Sequence, residues 1–328
     1  MNRREAAFTL LALAATPLTA HAQGQEKIWR VGVLIPRRRP DSIESDFIGA
    51  FPQGMRELGY IEGKNLTIEW RFAGARFELL PDLARELVRL KMDALVSGSS
   101  QAIRALQHAT NTIPIVMASS GDPISAGFVA RLARPGGNIT GLSNLTSDIA
   151  TKQLELLLCL VPKLTRVAVL VNPLNPSLAT FVRNIRSAAQ GSSVTVLPVE
   201  AKSAQDIERA FPMMIEGSAK ATIVATDTLF VEQYRTIAEL AAKNRLPSVA
   251  QLREYVEAGG LASYGPDLAD QYRRAATYVD RIFKGAKPGD LPVEQSAKFE
   301  LLLNGKTADV LHLTIPAELR LRADRVIE

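Results

Sequence analysis

One short stretch of the chain carries a binding pattern, the turn in LVSGSSQAIRAL at residues 95–106. A short apolar run gives way to Gly98, Ser99 and Ser100, and apolar residues at helical spacing follow at once. A strand that turns directly into a helix leaves backbone N–H groups without helical partners, and the helix dipole favours negative charge there. The pattern therefore predicts an anion site, and Ser99 and Ser100 would suit a carboxylate through charge-assisted hydrogen bonds.

Other polar residues follow predicted strands, at the positions where open parallel sheets bind ligands, beyond the carboxyl ends of the strands. Together with the turn they give a candidate ligand-binding set: Pro36, Arg37, Ser99, Ser100, Gln101, Ser119, Ser120, Asp122, Asn172, Asp227, Gln251 and Tyr264. Either Asp122 or Asp227 could accept the ammonium group of an amino acid. Tyr264 could stack on or cover an apolar or aromatic side chain. Helix capping is the alternative for each Ser, Asp or Asn taken singly.

Motifs for catalysis are missing from the sequence. It contains neither G-x-G-x-x-G nor G-x-S-x-G, and NGKT at 304–307 lacks the upstream glycine of a phosphate-binding loop. His108 and His312 lie far apart and lack the spacing of metal ligands. The serines of the candidate set are the only feature that favours an enzyme. We therefore predict a binding protein with no catalytic residues, no metal and no cofactor.

The elements that hold these residues alternate along the chain, with short Val-, Ile- and Leu-rich runs between amphipathic helical stretches. Predicted strands are Val31–Ile35, Leu66–Trp70, Ala94–Ser97, Ile115–Ala118, Val167–Val171, Val194–Val199 and Ala221–Ala225. This alternation indicates βαβ units and parallel sheets covered by helices on both faces. RVGVLIP at 30–36 returns as RVAVLVNP at 166–173, and each opens about four such units. The predicted fold class is α/β with two Rossmann-like lobes.

The boundary between the lobes is predicted in the glycine-rich stretch Ala133–Ser143, which is full of turn-forming residues. After the strand Leu261–Gly265 come a long helix and an extended segment at Lys298–Asn304. A late helix and strand indicate that the chain crosses back between the lobes, and several crossings make a hinge. We predict lobe 1 at 27–143 plus 266–290 and lobe 2 at 144–265 plus 291–328.

Residues 1–22 are predicted to be an export signal cleaved near Ala22, because Arg3 and Arg4 precede an apolar run that ends in small residues. We expect a periplasmic protein without membrane insertion, exported by the general or the twin-arginine route. Cys159 is the single cysteine, so no internal disulfide can form, and its leucine neighbours predict a buried position. The net charge of +5 is too weak and dispersed for a nucleic acid partner.

Four long stretches resemble the ABC-transporter substrate-binding proteins that include tryptophan- and tyrosine-binding members: Arg56–Ala73, Thr112–Ser143, Arg253–Gln295 and Lys298–Pro316. The resemblance implies a type I periplasmic-binding fold with three crossovers, a ligand held between the lobes, and a membrane permease as partner. It also implies that the turn at Gly98–Ser100 takes a ligand carboxylate, and that acidic residues near Asp122 and Asp227 take an ammonium group.

The run Arg37-Arg38-Arg39 departs from this family, which commonly has small residues and proline after the first strand. The run is either a solvated rim or a contact for a further anionic group on the ligand. Two functions stay open: a monomeric importer receptor for a small carboxylate-bearing ligand such as an amino acid, and a periplasmic sensor feeding a kinase or chemoreceptor. A repressor of the lactose type shares the fold but carries a DNA-binding helix-turn-helix where this chain has an export signal.

Overall fold

Thirteen strands form within the part of the chain that the structure, a computed structural model, describes: residues 27–144, 146–175, 178–296 and 298–328. The predicted export signal lies outside these residues. In chain order the strands are β1 (Trp29–Ile35), β2 (Leu66–Phe72), β3 (Ala94–Ser97), β4 (Ile115–Met117), β5 (Ile139–Ser143), β6 (Arg166–Val171), β7 (Thr195–Glu200), β8 (Ala221–Val224), β9 (Ser248–Ala250), β10 (Ala262–Pro266), β11 (Glu294–Gln295), β12 (Phe299–Asn304) and β13 (Arg325–Ile327).

Helices connect most of these strands. They are α1 (Ala50–Glu57), α2 (Leu80–Arg89), α3 (Ser100–Ala109), α4 (Thr146–Leu160), α5 (Leu178–Ala189), α6 (Ala204–Glu216), α7 (Thr228–Glu232), α8 (Tyr234–Lys243), α9 (Arg253–Glu257), α10 (Leu268–Phe283), α11 (Gly305–Val310) and α12 (Ala317–Arg322). Local capping fixes several starts, since Ser203 accepts from the N–H of Asp206 at α6 and Asp267 from the N–H of Asp270 at α10. Within the described ranges, no helix combines the length and the apolar character that crossing a bilayer requires.

The strands form two sheets, one in each lobe. The first has the order β11-β5-β4-β3-β1-β2 and is parallel throughout. The second has the order β13-β12-β10-β9-β8-β6-β7 and is parallel except where β12 runs antiparallel to β10. The predicted class, α/β with two lobes, is confirmed. β12 corresponds to the extended segment predicted at Lys298–Asn304, but its antiparallel direction was not predicted.

Helices cover both faces of each sheet, because successive side chains of a strand point to opposite sides. In β1, Val33 packs in a core with α1 and α10, while its neighbour Leu34 packs in a core with α2 and α3. In β6, Val169 packs with α4 and α5, while Leu170 packs with α6 and α8. This two-sided burial explains why the central strands read as continuous apolar runs.

The chain passes from one sheet to the other after β5, after β10 and after β11. These three passages lie side by side: the N–H of Ser296 donates to the carbonyl of Ser143 at 2.9 Å, and the N–H of Asp267 donates to the carbonyl of Lys298 at 3.1 Å. Adjacent, hydrogen-bonded segments between two separately packed lobes form a hinge.

The glycine-rich stretch predicted as the lobe boundary contains a strand, β5, at its end. Gly141 explains how a stretch with turn-forming composition pairs in a sheet. Its φ is +127°, and a Cβ there would lie 2.2 Å from the carbonyl oxygen of Met117, so only glycine lets β5 approach β4. The first passage therefore starts at the end of this stretch rather than within it.

The third passage begins later than the predicted boundaries, which ended lobe 1 at residue 290. Glu294 and Gln295 pair with Leu142 and Ser143 of β5, and Val293 is buried in the core that α2 and α3 share. Residues 291–295 thus lie with the first sheet, although the prediction assigned 291–328 to lobe 2. A strand of two residues has no periodicity that a sequence pattern could reveal.

Cys159 is exposed, contrary to the prediction of a buried position. On α4 the residues Leu154, Leu157 and Leu160 form the stripe that faces the core. A helix places residues three apart on one face, so Cys159 falls beside the stripe although leucines surround it in the sequence.

Candidate functional site

A cleft separates the two lobes at the carboxyl ends of their parallel strands, where ligands of open α/β sheets bind. It encloses about 1220 Å³ of space between protein atoms, part of it open to solvent. All the predicted residues but one line it: Pro36, Arg37, Ser99, Ser100, Gln101, Ser119, Ser120, Asp122, Asn172, Asp227 and Gln251. Their common placement is established, and their contact with a ligand stays a prediction.

Tyr264 does not line the cleft, contrary to the prediction. Its ring stacks on Phe299 of the neighbouring strand, with centroids 5.8 Å apart and planes 6° from parallel. The ring also packs against the core that α4 and α5 cover. Because side chains alternate along β10, this position faces the side of the second sheet that α4 and α5 cover.

The turn between β3 and α3 lies in the cleft at the N-terminus of α3, as the predicted anion site requires. Ser99 is the N-cap residue, with an extended backbone (φ −131°, ψ 133°), yet its side chain makes no capping hydrogen bond. Its hydroxyl instead donates to Oε1 of Gln101 at 2.8 Å. The Ser99 side chain therefore does not cap α3, and the helix dipole adds positive potential at this end of the cleft. An anionic group such as a carboxylate fits this end of the helix.

Gly98 brings this turn against helix α10. A Cβ at position 98 would lie 2.6 Å from the hydroxyl oxygen of Tyr272, so glycine is required for the close approach. Tyr272 is buried, and burial raises the pKa of its phenol above the usual value. The phenol is therefore neutral at physiological pH and keeps its proton as a hydrogen-bond donor at the floor of the cleft.

Asp227, from the second lobe, is a buried carboxylate surrounded by uncharged donors. Its Oδ1 accepts from the N–H of Leu229 and from Nδ2 of Asn172, each at 2.9 Å. Its Oδ2 accepts from Nδ2 of Asn175 at 2.8 Å and from Nε2 of Gln101 at 2.9 Å. Asp227 is 3% exposed, and its four donors are uncharged groups. A cation that enters the cleft therefore meets a buried carboxylate whose charge these donors do not neutralise.

Asp122 has different surroundings. Its Oδ1 accepts from the N–H groups of Ile124 and Ser125 at 3.1 and 3.0 Å, and its Oδ2 accepts from the Ser125 hydroxyl. These bonds tie the Asp122 carboxylate to its own loop, which is the capping role that the sequence analysis gave as the alternative to ligand binding. Of the two predicted ammonium acceptors, the geometry favours Asp227.

Two of the three consecutive arginines after β1 lie over aromatic rings. Arg37 lies 4.6 Å from the centroid of Phe47 and forms an ion pair with Asp46. Arg39 lies 5.6 Å from the centroid of Phe72. Because Asp46 already balances the charge of Arg37, the structure gives little support to a further anionic group on the ligand.

Hydrogen bonds between described residues join the lobes across the cleft. Nε2 of Gln101 in lobe 1 donates to Asp227 in lobe 2 at 2.9 Å, and the N–H of Arg38 donates to Oε1 of Glu232 at 2.8 Å. Both bonds require the lobes to be close together, so the cleft is in a closed conformation.

An apolar wall completes the cleft, and the sequence analysis missed it. It consists of Ile35, Phe47, Leu178, Phe181, Val231, Leu252, Leu268 and Tyr272. The rings of Phe47 and Tyr272 lie 5.5 Å apart at 56°. Tyr272 lies on the buried face of α10 and contributes both to the core and to the cleft. Phe47 follows the first strand, and extending the strand-end rule along that loop would have found it.

These features describe a two-lobed protein whose cleft brings the N-terminus of a helix in one lobe to a buried carboxylate in the other. The fold is that of the type I periplasmic binding proteins. The family of ABC transporter substrate binding proteins matches residues 40–327, and the chain belongs to this family. It is therefore a binding protein and not an enzyme, as predicted.

The chain is similar to a protein from Clostridioides difficile and to two proteins of solved structure. A tyrosine-binding protein of Clostridioides difficile (strain R20291) is 27% identical over 283 residues, which cover 86% of this chain and 80% of that protein. A conserved domain protein from Vibrio cholerae O1 biovar El Tor strain N16961 has a crystal structure with a TM-score of 0.86 at 27% identity, covering 92% of this chain and 100% of that chain. The ABC domain from Streptococcus pneumoniae in complex with L-Trp gives a TM-score of 0.84 at 27% identity, covering 91% and 99%.

Proposed function

We propose that this protein is the extracytoplasmic receptor of an ABC importer and closes by a hinge motion on an amino acid. One observation carries the proposal: the helix end at Gly98–Gln101 and the Asp227 carboxylate face each other, bridged by a hydrogen bond of 2.9 Å from Gln101. The carboxylate and the ammonium on one α-carbon can therefore reach both sites at once. Since each site belongs to a different lobe, only the closed conformation offers both, and the ligand stabilises closure.

The side chain of the ligand is proposed to be aromatic. The wall that includes Phe47 and Tyr272 offers apolar and aromatic surface beside the two polar sites, and aromatic pairs favour such tilted or offset arrangements. The tyrosine-binding relative and the relative in complex with L-Trp support the same class of ligand.

The same proposal includes export of the protein to the periplasm and a partner in the membrane. The signal pattern at 1–22 supports release into the periplasm, and membership of the family supports a membrane permease as the partner that receives the ligand. We propose that the receptor acts as a monomer. Genes for a permease and an ATPase beside this one would support import, and a gene for a membrane kinase in that place would support the sensory alternative.

The direct test is a thermal-shift screen with L-Tyr, L-Trp, L-Phe and small organic acids, followed by calorimetry on the best ligand. At a free ligand concentration of a hundred times the dissociation constant, binding stabilises the folded state by about 2.7 kcal/mol. We expect an aromatic amino acid to raise the melting temperature most. If no amino acid raises it at millimolar concentration, the proposal is wrong.

A substitution in the apolar wall tests the aromatic assignment. Phe47→Ala should weaken binding of L-Trp or L-Tyr by about 1–2 kcal/mol, or roughly 5- to 30-fold, because it removes aromatic surface from the ligand. Binding of L-Ala, whose side chain does not reach the wall, should change little. Phe72→Ala is the matched control, since Phe72 also supports an arginine, Arg39, but does not line the cleft. Equal losses for both variants, or for both classes of ligand, would contradict the assignment.

A further inference from the structure

Three buried side chains form a chain of hydrogen bonds that starts outside the cleft and ends in it. Nε2 of Gln271, on α10, donates to Oδ1 of Asn144 at 2.5 Å. Nδ2 of Asn144, in the first passage between the lobes, donates to Oγ of Ser119 at 3.1 Å. Gln271 is 0% exposed and does not line the cleft, whereas Asn144 and Ser119 line it.

The direction of these bonds decides what Ser119 offers to a ligand. A hydroxyl group has one proton and two lone pairs. Because the Ser119 oxygen accepts from Asn144, its proton does not point along that bond and is available to the cleft. If the Asn144 amide were turned over, its oxygen would face Ser119 and would take that proton. The orientation of one amide therefore switches Ser119 between a donor and an acceptor toward the cleft.

Gln271 is the hydrogen-bond partner of the Asn144 oxygen in this orientation. Because its Nε2 donates to that oxygen, the Asn144 NH₂ group faces Ser119. Helix α10 holds the backbone of Gln271, since the carbonyl of Asp267 accepts from the Gln271 N–H at 3.1 Å and the side chain of Asp267 caps the helix. The side-chain Oε1 of Gln271 is buried without a hydrogen-bond partner among the described residues, so the orientations of the Gln271 and Asn144 amides are coupled through the bond between them. A buried hydrogen-bond network of this kind has strong directionality, because water does not compete for its members.

We propose that Gln271 is a positioning residue for carboxylate recognition: through Asn144 it holds Ser119 as a hydrogen-bond donor toward the carboxylate of the ligand. The inference rests on the proposed function, in which the ligand carries a carboxylate. Ser119 then adds a neutral donor to the positive end of α3 on the same side of the cleft. Without the amide relay, Ser119 would present an oxygen lone pair, which repels a carboxylate and accepts from an amide.

The test compares the amino acid that binds the wild type most tightly, among L-Tyr, L-Trp and L-Phe, with its primary amide, by calorimetry from pH 5 to 9. In Q271E the ionised carboxyl accepts rather than donates, so the Asn144 amide turns over and Ser119 donates to it. We expect the affinity for the amino acid to fall about tenfold or more, the usual effect of losing a hydrogen bond to a charged group. The affinity for the amide should fall less.

The pH profile separates positioning from a general structural defect. Burial raises the pKa of an introduced carboxyl, and the protonated form donates to Asn144 as the glutamine does. The preference of Q271E for the acid over the amide should therefore return as the pH falls through that pKa. Q271M has no donor and no charge, so its preference for the acid should be reduced at every pH; it decides the question if Q271E does not fold.

Gln153 supplies the matched control. It is also 0% exposed, and its Nε2 donates at 3.2 Å to the backbone carbonyl of Tyr264, which does not line the cleft. Q153E should keep the wild-type ratio of acid to amide affinity at every pH. The inference is overturned if Q271E and Q271M keep that ratio too, or if Q153E shows the same pH-dependent change. If the wild type binds none of the three amino acids, the proposed function fails and the inference fails with it.

Discussion

Replacing Asp227 by asparagine is expected to weaken amino acid binding by a hundredfold or more. The substitution keeps the size of the side chain but removes the buried carboxylate that we propose balances the ammonium group of the ligand. Leaving a buried charge without its partner costs about 3–5 kcal/mol, which corresponds to roughly a hundredfold to a few thousandfold in the dissociation constant. Calorimetry with L-Trp and L-Tyr measures the loss.

A ligand without the ammonium group isolates this effect. Asp227→Asn should bind 3-(indol-3-yl)propionate no more weakly than the wild type does, because that molecule presents only a carboxylate. Asp122→Asn should cost at most a few-fold with either ligand, since the Asp122 carboxylate bonds to Ile124 and Ser125 of its own loop. If Asp122→Asn costs as much as Asp227→Asn, or if both ligand types lose equally, the assignment of the ammonium site is wrong.

The polar half of the candidate site could be predicted from the sequence because its position follows from chain direction alone. Residues after parallel strands meet at one edge of the sheet, whatever the packing elsewhere. The apolar half could not be predicted in this way. Tyr272 obeys the helical period of a core residue, and only the approach of Gly98 shows that its ring also reaches the cleft. The prediction that Tyr264 lies in the cleft was wrong for a related reason, because the face to which a strand residue points depends on register.

The hydrogen bond between Asp227 and Gln101 could be predicted only in part. Each residue was found from its own strand end, but their bond across the cleft depends on how the lobes close. The lobe count and most strands likewise followed from local patterns, such as the paired motifs at 30–36 and 166–173. The strands β5, β9, β11 and β13 did not follow from such patterns. β5 is rich in small residues, β9 and β13 have three residues each, and β11 has two. β5 and β11 also lie at the passages, where pairing is determined by distant parts of the chain.

Gly98→Ala is expected to damage the anion site itself. The added methyl group would lie 2.6 Å from the Tyr272 hydroxyl oxygen and 3.0 Å from two of its ring carbons, and the buried ring cannot move away freely. Overpacking of this kind costs about 1–3 kcal/mol of folding stability. The turn should move away from α10 to relieve this clash. The N–H groups at the start of α3 should then no longer point toward the carboxylate of the ligand. We expect amino acid affinity to fall about tenfold or more, with a lower melting temperature.

Gly191→Ala is the matched control for this prediction. Gly191 lies in the connection between α5 and β7, a Cβ there has no heavy atom within 4 Å, and its backbone conformation is open to other residues. Alanine at such a position reduces the freedom of the unfolded chain and stabilises the fold by about 0.4–1 kcal/mol. The control should bind as the wild type does. Wild-type affinity in Gly98→Ala would mean that the turn does not hold the carboxylate, whereas equal losses for L-Trp and for tryptamine, which has no carboxylate, would mean that the substitution disturbs the whole cleft.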